Sequence, residues 1–181
     1  MRVSRTRVFI ACSLDGFIAG ESDDLSWLTG VNEPVPGEPR PDYGYDAFFA
    51  EVGALLMGRN TYRVVEGFEA WPYADRPVLV ATRRELVPRA PTVRAVAGPI
   101  TELVALAKAA AGERDVYIDG GDLIRQALDA RLVDELVVSI IPTLLGRGVP
   151  LFAGVAERHR LKLISTRTFL SGMVQLTLRP A

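Results

Sequence analysis

Five short apolar runs set the terms on which this chain can fold: Val8–Cys12, Ala54–Met57, Val78–Ala81, Val116–Ile118 and Leu136–Ile141. Each is followed by polar residues or by Gly/Pro punctuation, and each is nearly continuous rather than alternating, the pattern of strands covered on both faces. Stripes of helical period lie between them. Leu103, Leu106, Ala107 and Ala110 form one, with Thr101 as N-cap and Gly112 as stop. Leu123, Ile124, Ala127 and Leu128 form a second, opened by Asp122; Tyr45, Phe48, Phe49 and Val52 form a third, ended by Gly53. Strands alternating with helices predict an α/β fold with a mostly parallel sheet. The chain ends differently. Val174, Leu176 and Leu178 alternate with Gln175, Thr177 and Arg179, and Leu161–Thr168 precedes them across Ser171-Gly172. That pattern predicts an antiparallel hairpin at the sheet edge. Without a repeat, a low-complexity tract or a linker, residues 1–181 are expected to form one domain.

Composition narrows the function. A chain that is 49% hydrophobic and 24% charged builds an ordinary core and is not intrinsically disordered. The formal charge of −1, from 21 Lys+Arg against 22 Asp+Glu, excludes a strongly basic domain held to nucleic acid by phosphate attraction. Cys12 is the sole cysteine and His159 the sole histidine, which excludes an intrachain disulfide, a His-rich metal site and a zinc deaminase. No metal is therefore expected. The apolar run after the basic Met1–Arg7 is too short for a secretory signal, and no stretch approaches the roughly 20 residues of a membrane span. A soluble, cytoplasmic globule is expected.

Three strand-to-helix junctions could carry chemistry. In Met57-Gly58-Arg59-Asn60-Thr61-Tyr62, Gly58 permits a sharp turn into a helix whose first amides lack intrahelical partners. Those amides, Arg59 and the Thr61 hydroxyl suit a phosphate; the alternative is a tight turn with Arg59 solvated, since 19 arginines are present. Asp119-Gly120-Gly121 removes side chains where a ring or pyrophosphate could approach main chain, or where a helix packs closely over a strand. Neither the G-x-G-x-x-G fingerprint nor a P-loop occurs. Thr82-Arg83-Arg84 closes the strand Val78–Ala81; it either holds the extra ribose phosphate of NADP or is a solvated loop.

The remaining segments leave their uses open. Ser13-Leu14-Asp15-Gly16-Phe17-Ile18-Ala19-Gly20 offers a carboxylate that either works in a pocket or caps its own turn. Asp46 is either a pocket carboxylate or a first-turn acid favoured by the helix dipole. The proline-broken segment Gly30–Gly44 is a lid or a surface excursion. Residues Pro142–Phe152 either floor a pocket or form a dimer contact. His159, flanked by Arg158 and Arg160, reads as a surface residue, and Cys12 as a small buried hydrophobe.

Taken together, Ser13–Gly20, Met57–Tyr62, Pro77–Arg83, Val116–Leu123 and Asp134–Phe152 resemble the dihydrofolate reductase-like family, and within it the branch of riboflavin-biosynthesis reductase domains and their stand-alone relatives. The resemblance runs from Val8 to Leu178 and is most specific in Ser13-Leu14-Asp15-Gly16, Met57-Gly58-Arg59-x-Thr61-Tyr62 and Gly120-Gly121. It implies a three-layer fold with NADPH lying across the strand ends, and a homodimer. It implies that Gly58, Arg59 and Thr61 meet the cofactor phosphates and that Thr82 and Arg83 take the adenosine 2′-phosphate. Gly120, Gly121, Leu123 and Ile124 match the segment against the pyrophosphate and nicotinamide, and Ala11 and Ile18 match the walls near the nicotinamide. The acid that holds the pterin in dihydrofolate reductases has no secure counterpart, Asp46 being a candidate, and no arginine set stands out for a ribose phosphate on the substrate.

The expected activity is hydride transfer from NADPH to a C=N or C=O of a small pteridine- or pyrimidine-like heterocycle, with the proton from Asp15, Asp46 or water. The rivals are a true dihydrofolate reductase and a non-catalytic NADPH-binding module for sensing or partner binding.

Overall fold

The computed structural model of the protein describes residues 3–31 and 43–181. The first apolar run becomes β1 (Thr6–Ser13), followed by a short strand β2 (Phe17–Ala19) and two 3-10 turns, Glu21–Asp23 and Ser26–Val31. Next come α1 (Tyr45–Glu51), β3 (Val52–Gly58), α2 (Arg59–Glu66), β4 (Val78–Ala81) and β5 (Val93–Val96). The second half runs α3 (Ile100–Ala111), β6 (Asp115–Asp119), α4 (Gly121–Asp129), β7 (Glu135–Ile141) and β8 (Val149–Pro150). It closes with the hairpin β9 (Leu161–Thr168) and β10 (Val174–Pro180).

Eight strands form one sheet in the order β5-β4-β3-β6-β1-β7-β10-β9. The first six run parallel; β10 pairs antiparallel with both β7 and β9. All six parallel strands therefore deliver their carboxyl ends to one sheet edge, where ligands collect in open α/β sheets. The strands are continuous apolar runs because both faces are covered. On one face Leu103, Val104 and Ala107 of α3 and Leu123, Ile124 and Ala127 of α4 pack on Val8, Leu56 and Ile118. On the other, Phe48 of α1 and Tyr62 and Val65 of α2 pack on Leu55, Met57, Val80 and Tyr117. The result is the expected three-layer α/β architecture with its antiparallel ending.

Local expectations shift at the element ends. Helix α3 starts at Ile100, so Thr101 lies inside it and Pro99, with no N–H to leave unpaired, precedes it. The third stripe ends earlier than its period implies: α1 stops at Glu51, and Val52 already opens β3. Gly53 is thus not a helix stop. A Cβ there would collide with the Ala111 carbonyl oxygen, so this glycine lets β3 pass against the end of α3. Residues 32–42 of the proline-broken segment lie outside the described residues.

At the sheet edge opposite the strand carboxyl ends, the buried Arg7, Asp115 and Glu135 join the half-exposed Arg5 and Glu51 in one ion-pair network, as burial of the first three requires. Arg7 reaches Glu135 at 2.7 Å and Glu51 at 2.6 Å; Arg5 reaches Asp115 at 2.8 Å and Glu51 at 2.9 Å. Burial alone would raise the Glu135 carboxyl, but hydrogen bonds and charge from Arg179 and Arg7 hold it below the usual range. The network ties the end of α1 to β1, β6 and β7. His159 is not a bare surface residue: its Nε2 lies 2.8 Å from Asp129 Oδ1, at the end of α4. Cys12 is buried as expected, and burial pushes its thiol up to about 11.

Candidate active site

A cleft of about 760 Å³ opens along the sheet edge formed by the strand carboxyl ends. It is built where β4, β3 and β6 lie side by side. Gly58 is in register with Ala81, and Met57 with Asp119, so the three junctions singled out in the sequence are neighbours. Gly58, Arg59, Thr61, Thr82, Arg83, Gly120, Gly121 and Leu123 all line this one cleft, together with Ala11 and Ile18.

Two helix amino termini meet there. Helix α2 begins after Gly58 and α4 after Gly120, and neither has a side-chain cap, so their leading amides face the cleft without a side chain of their own to satisfy them. Gly120 has φ +96°, a conformation that L side chains rarely adopt, and a Cβ on it would strike Thr61 Oγ1. The Thr61 hydroxyl is thus lodged against the Gly120 backbone, joining the two helix starts. A Cβ at Gly58 would meet nothing within 4 Å, so main chain borders open space there. Beside this pair, Arg59 Nη1 donates to Glu85 O at 2.8 Å, holding its side chain across the junction with β4. The Thr82 hydroxyl accepts from Arg84 N at 3.0 Å and shapes the turn that presents the exposed Arg83.

The other half of the cleft is aromatic and contains an acid. Phe9, Tyr73 and Tyr117 line it. Tyr117 and Asp119 are two apart on β6 and so share the sheet face covered by Phe48, whose ring meets Tyr117 edge-on at 5.1 Å. Asp119 Oδ1 accepts from Gly120 N at 2.8 Å. Burial raises the Asp119 carboxyl to about 6, against the opposing pull of that amide. The influence is mutual: burial and the Asp119 charge push the Tyr45 hydroxyl up to about 12 and raise Tyr73 and Tyr117 as well. The Tyr117 hydroxyl donates to Phe9 O at 2.8 Å, which fixes its ring between β6 and β1.

Two carboxylates named from the sequence stand elsewhere. Asp15 is exposed and its oxygens are engaged: they accept from Gly146 N at 2.7 Å, from Leu145 N at 3.2 Å and from the Ser13 hydroxyl at 2.5 Å. The Ser13 hydrogen bond, followed by those amides, lowers its pKa, so it is a loop clamp that stays ionised and borders no part of the cleft. Asp46 is an exposed first-turn residue of α1, also outside the cleft lining. Ile124 is likewise absent from the lining because it points into the core beneath α4. Asp119 is the acid of the cleft and is not among the carboxylates expected from the sequence. Its signal was available: it is the carboxylate at the carboxyl end of Val116–Ile118, directly before two glycines. Among the described residues no cluster of three or more His, Cys, Asp or Glu could hold a metal ion, and no helix is long and apolar enough to cross a membrane.

Comparison with known proteins gives a consistent picture. The RibD C-terminal domain family profile matches residues 6–175. A putative riboflavin biosynthesis protein from Shewanella sp. PV-4 superposes with a TM-score of 0.86 at 36% identity, covering 98% of this chain and 99% of that one. Uncharacterized protein YyaP of Bacillus subtilis is 31% identical over 182 residues, 92% of this chain and 90% of its own. Dihydrofolate reductase from Enterococcus faecalis, solved with NADP(H), has the same fold, with a TM-score of 0.65 at 16% identity over 97% of this chain and 96% of that one.

Proposed function

Starting from the premise that the chain belongs to the RibD C-terminal domain family, we propose that it is an NADPH-dependent reductase acting on a C=N or C=O bond of a small pteridine- or pyrimidine-like heterocycle. The observation that carries this reading is the meeting of two uncapped helix starts, at Gly58 and Gly120, in a cleft that also holds Arg83 and Asp119. The residues fit the cofactor. Paired helix amino termini supply amides and positive dipole ends for a pyrophosphate, and Gly58, with nothing within 4 Å of a Cβ position, leaves room for it to approach main chain. Thr61 and Arg59 flank that position, and Thr82 and Arg83 offer a hydroxyl and a guanidinium for the adenosine 2′-phosphate. Ala11, Ile18 and Leu123 supply apolar wall for the nicotinamide end.

When bound, the reduced nicotinamide supplies hydride. The protein's own part is to hold the acceptor and deliver a proton. Phe9, Tyr73 and Tyr117 line one half of the cleft and give a flat heterocycle an apolar, aromatic wall. Asp119, with its carboxyl raised to about 6, retains a protonated fraction near neutral pH and is placed to act as the general acid, the role first expected of Asp15 or Asp46. We further propose that the chain works as a homodimer in the cytoplasm, the dimer contact formed by the exposed Leu14, Leu144 and Leu170 at the ends of β1 and β7 and the β9–β10 turn. Light scattering at micromolar concentration should give twice 19.7 kDa; a monomer would contradict the contact.

The test of the activity is a screen of pteridine and pyrimidine acceptors, followed through NADPH absorbance. Oxidation with at least one acceptor is expected. Binding of NADPH without any turnover would favour a sensing module instead. Arg83→Ala gives a second arm. It should weaken NADPH about 10- to 100-fold, the worth of a charge-assisted hydrogen bond, and leave NADH affinity unchanged. Equal losses for both dinucleotides would remove Arg83 from the 2′-phosphate.

A further inference from the structure

One wall of the cleft is a ribbon too small to stand by itself. Strand β2 has three residues and β8 two, paired antiparallel as Phe17 with Pro150 and Ala19 with Val149. Two-stranded ribbons are marginal in water even at full length. Ile18 and Val149 of this ribbon nevertheless line the cleft. At one end the ribbon is anchored by the fully buried Leu151, whose N–H donates to Gly16 O at 2.9 Å. On the β2 side Phe17 N donates to Ser13 Oγ at 2.9 Å and Ile18 packs on the core; on the β8 side the fastening is Arg125, in the second turn of α4. Its Nη1 donates to two successive carbonyls, Pro150 O at 2.7 Å and Leu151 O at 3.3 Å. Asp122 Oδ1 lies 3.7 Å from Nη2, on the same helix. The side chain is only 17% exposed, so the guanidinium spends its charge on these backbone oxygens away from most solvent. The fit at the joint is close: a Cβ at Gly121 would lie 2.5 Å from Pro150 O, 2.9 Å from Arg125 Nη1 and 3.4 Å from Ile18 Cδ1.

We infer that Arg125 is a positioning residue: by clamping β8, and through it β2, onto the start of α4, it sets the distance of the Ile18 side chain from the ring that occupies the cleft. The inference rests on the reductase reading above and adds a residue which that reading does not use. Arg125 borders the cleft beside Gly121, but its Nη1 is given to the ribbon carbonyls, so its loss should change dinucleotide affinity far less than loss of Arg83 while loosening the wall beside the reacting ring. A reaction that needs reactants held in near-attack geometry is sensitive to such loosening, since misplacement by about 1 Å can cost about 100-fold.

The experiment compares the wild type with Arg125→Met, which keeps the side-chain length and removes the donors, and with Arg125→Lys, which restores one. Amide hydrogen exchange of the apo protein reads the clamp without any cofactor. In the Met variant, amides of residues 17–19, 149 and 151 should exchange about 10-fold faster while those of α4 and β6 stay protected, as expected when a charged hydrogen bond worth about that factor is lost. The Kd for NADPH should stay within about threefold, and kcat should fall about 10-fold or more with KM for NADPH nearly unchanged. Lys should recover part of both the protection and kcat. Unchanged exchange in the ribbon, or exchange that speeds up equally in α4, would overturn the positioning role while leaving the reductase reading in place. A wild type that does not bind NADPH would overturn that reading, and the role with it.

Discussion

Gly121→Val should abolish measurable NADPH binding, raising Kd at least about 100-fold, and should lower stability by about 1–3 kcal/mol through overpacking. The cause is steric and local. The added Cβ would lie 2.5 Å from Pro150 O and 2.9 Å from Arg125 Nη1, so either α4 or the β2–β8 ribbon must move, and the helix start that faces the phosphates moves with it. Gly58→Ala separates the two effects. Its backbone, at φ −75° and ψ 162°, suits alanine, and the new methyl meets no protein atom within 4 Å. Stability should therefore hold or rise by about 0.4–1 kcal/mol, because alanine narrows the unfolded ensemble. NADPH should still bind about 10-fold more weakly, because the methyl stands where main chain must approach a phosphate closely. Calorimetric titration of both variants with NADPH, alongside their thermal melts, reads the outcome. Full affinity in Gly121→Val would mean that the dinucleotide lies elsewhere.

Asp119→Asn should cost about 100-fold or more in kcat at the pH optimum, the range of a lost general acid. In the wild type the rate should fall as pH rises through about 6, as the carboxyl loses the proton it donates. The asparagine variant should lack that limb. Stability gives an independent check with a definite sign. The carboxyl titrates near the ordinary aspartate value of about 3.9 when unfolded and near 6 when folded. Between those values the native state binds more protons than the unfolded state, so stability falls as pH rises through the window and stays reduced above it. Asp119→Asn should remove this penalty and be more stable than the wild type above pH 6, by on the order of 1–2 kcal/mol once residual solvent contact is allowed for, and so melt at a higher temperature. A variant that keeps full activity would return the proton to another donor.

How much of this was legible in the sequence depends on the range of the interaction. Val78–Ala81 becomes β4 with the same limits, and Leu161–Thr168 becomes β9, because strand covering and hairpin alternation are patterns of adjacent residues. Strand β5, Val93–Val96, was not seen: Arg94 and Ala95 are exposed on this sheet edge, so no continuous apolar run marks it. Strands β2 and β8 were missed for another reason. They pair with each other across more than 100 residues of chain, and Arg125 holds β8 from 25 residues away, so no local pattern marks either strand. The corners that line the cleft were legible because turn glycines and helix starts are local; the order β4-β3-β6 then brings their three strands together.

The place of Asp119 at a strand end is legible, but the roles of the acids are not, since what a carboxylate does is decided by distant partners. Asp15 is claimed by amides 130 and 131 residues away, and Asp129 by His159 thirty residues on. Asp119 takes its character from burial beside Tyr117, in a cluster that draws Tyr45 and Tyr73 from two other segments of the chain. No spacing rule connects those four residues.

The central claim is that the corners after β3, β4 and β6 grip one dinucleotide and turn its redox ring toward Asp119. A crystal structure of the protein grown with NADPH tests it most directly. The account predicts the pyrophosphate between Gly58–Thr61 and Gly120–Gly121, the 2′-phosphate at Arg83, and the nicotinamide beside Ala11 and Ile18. NADPH bound away from these corners, or no NADPH bound at saturating concentration, would contradict it.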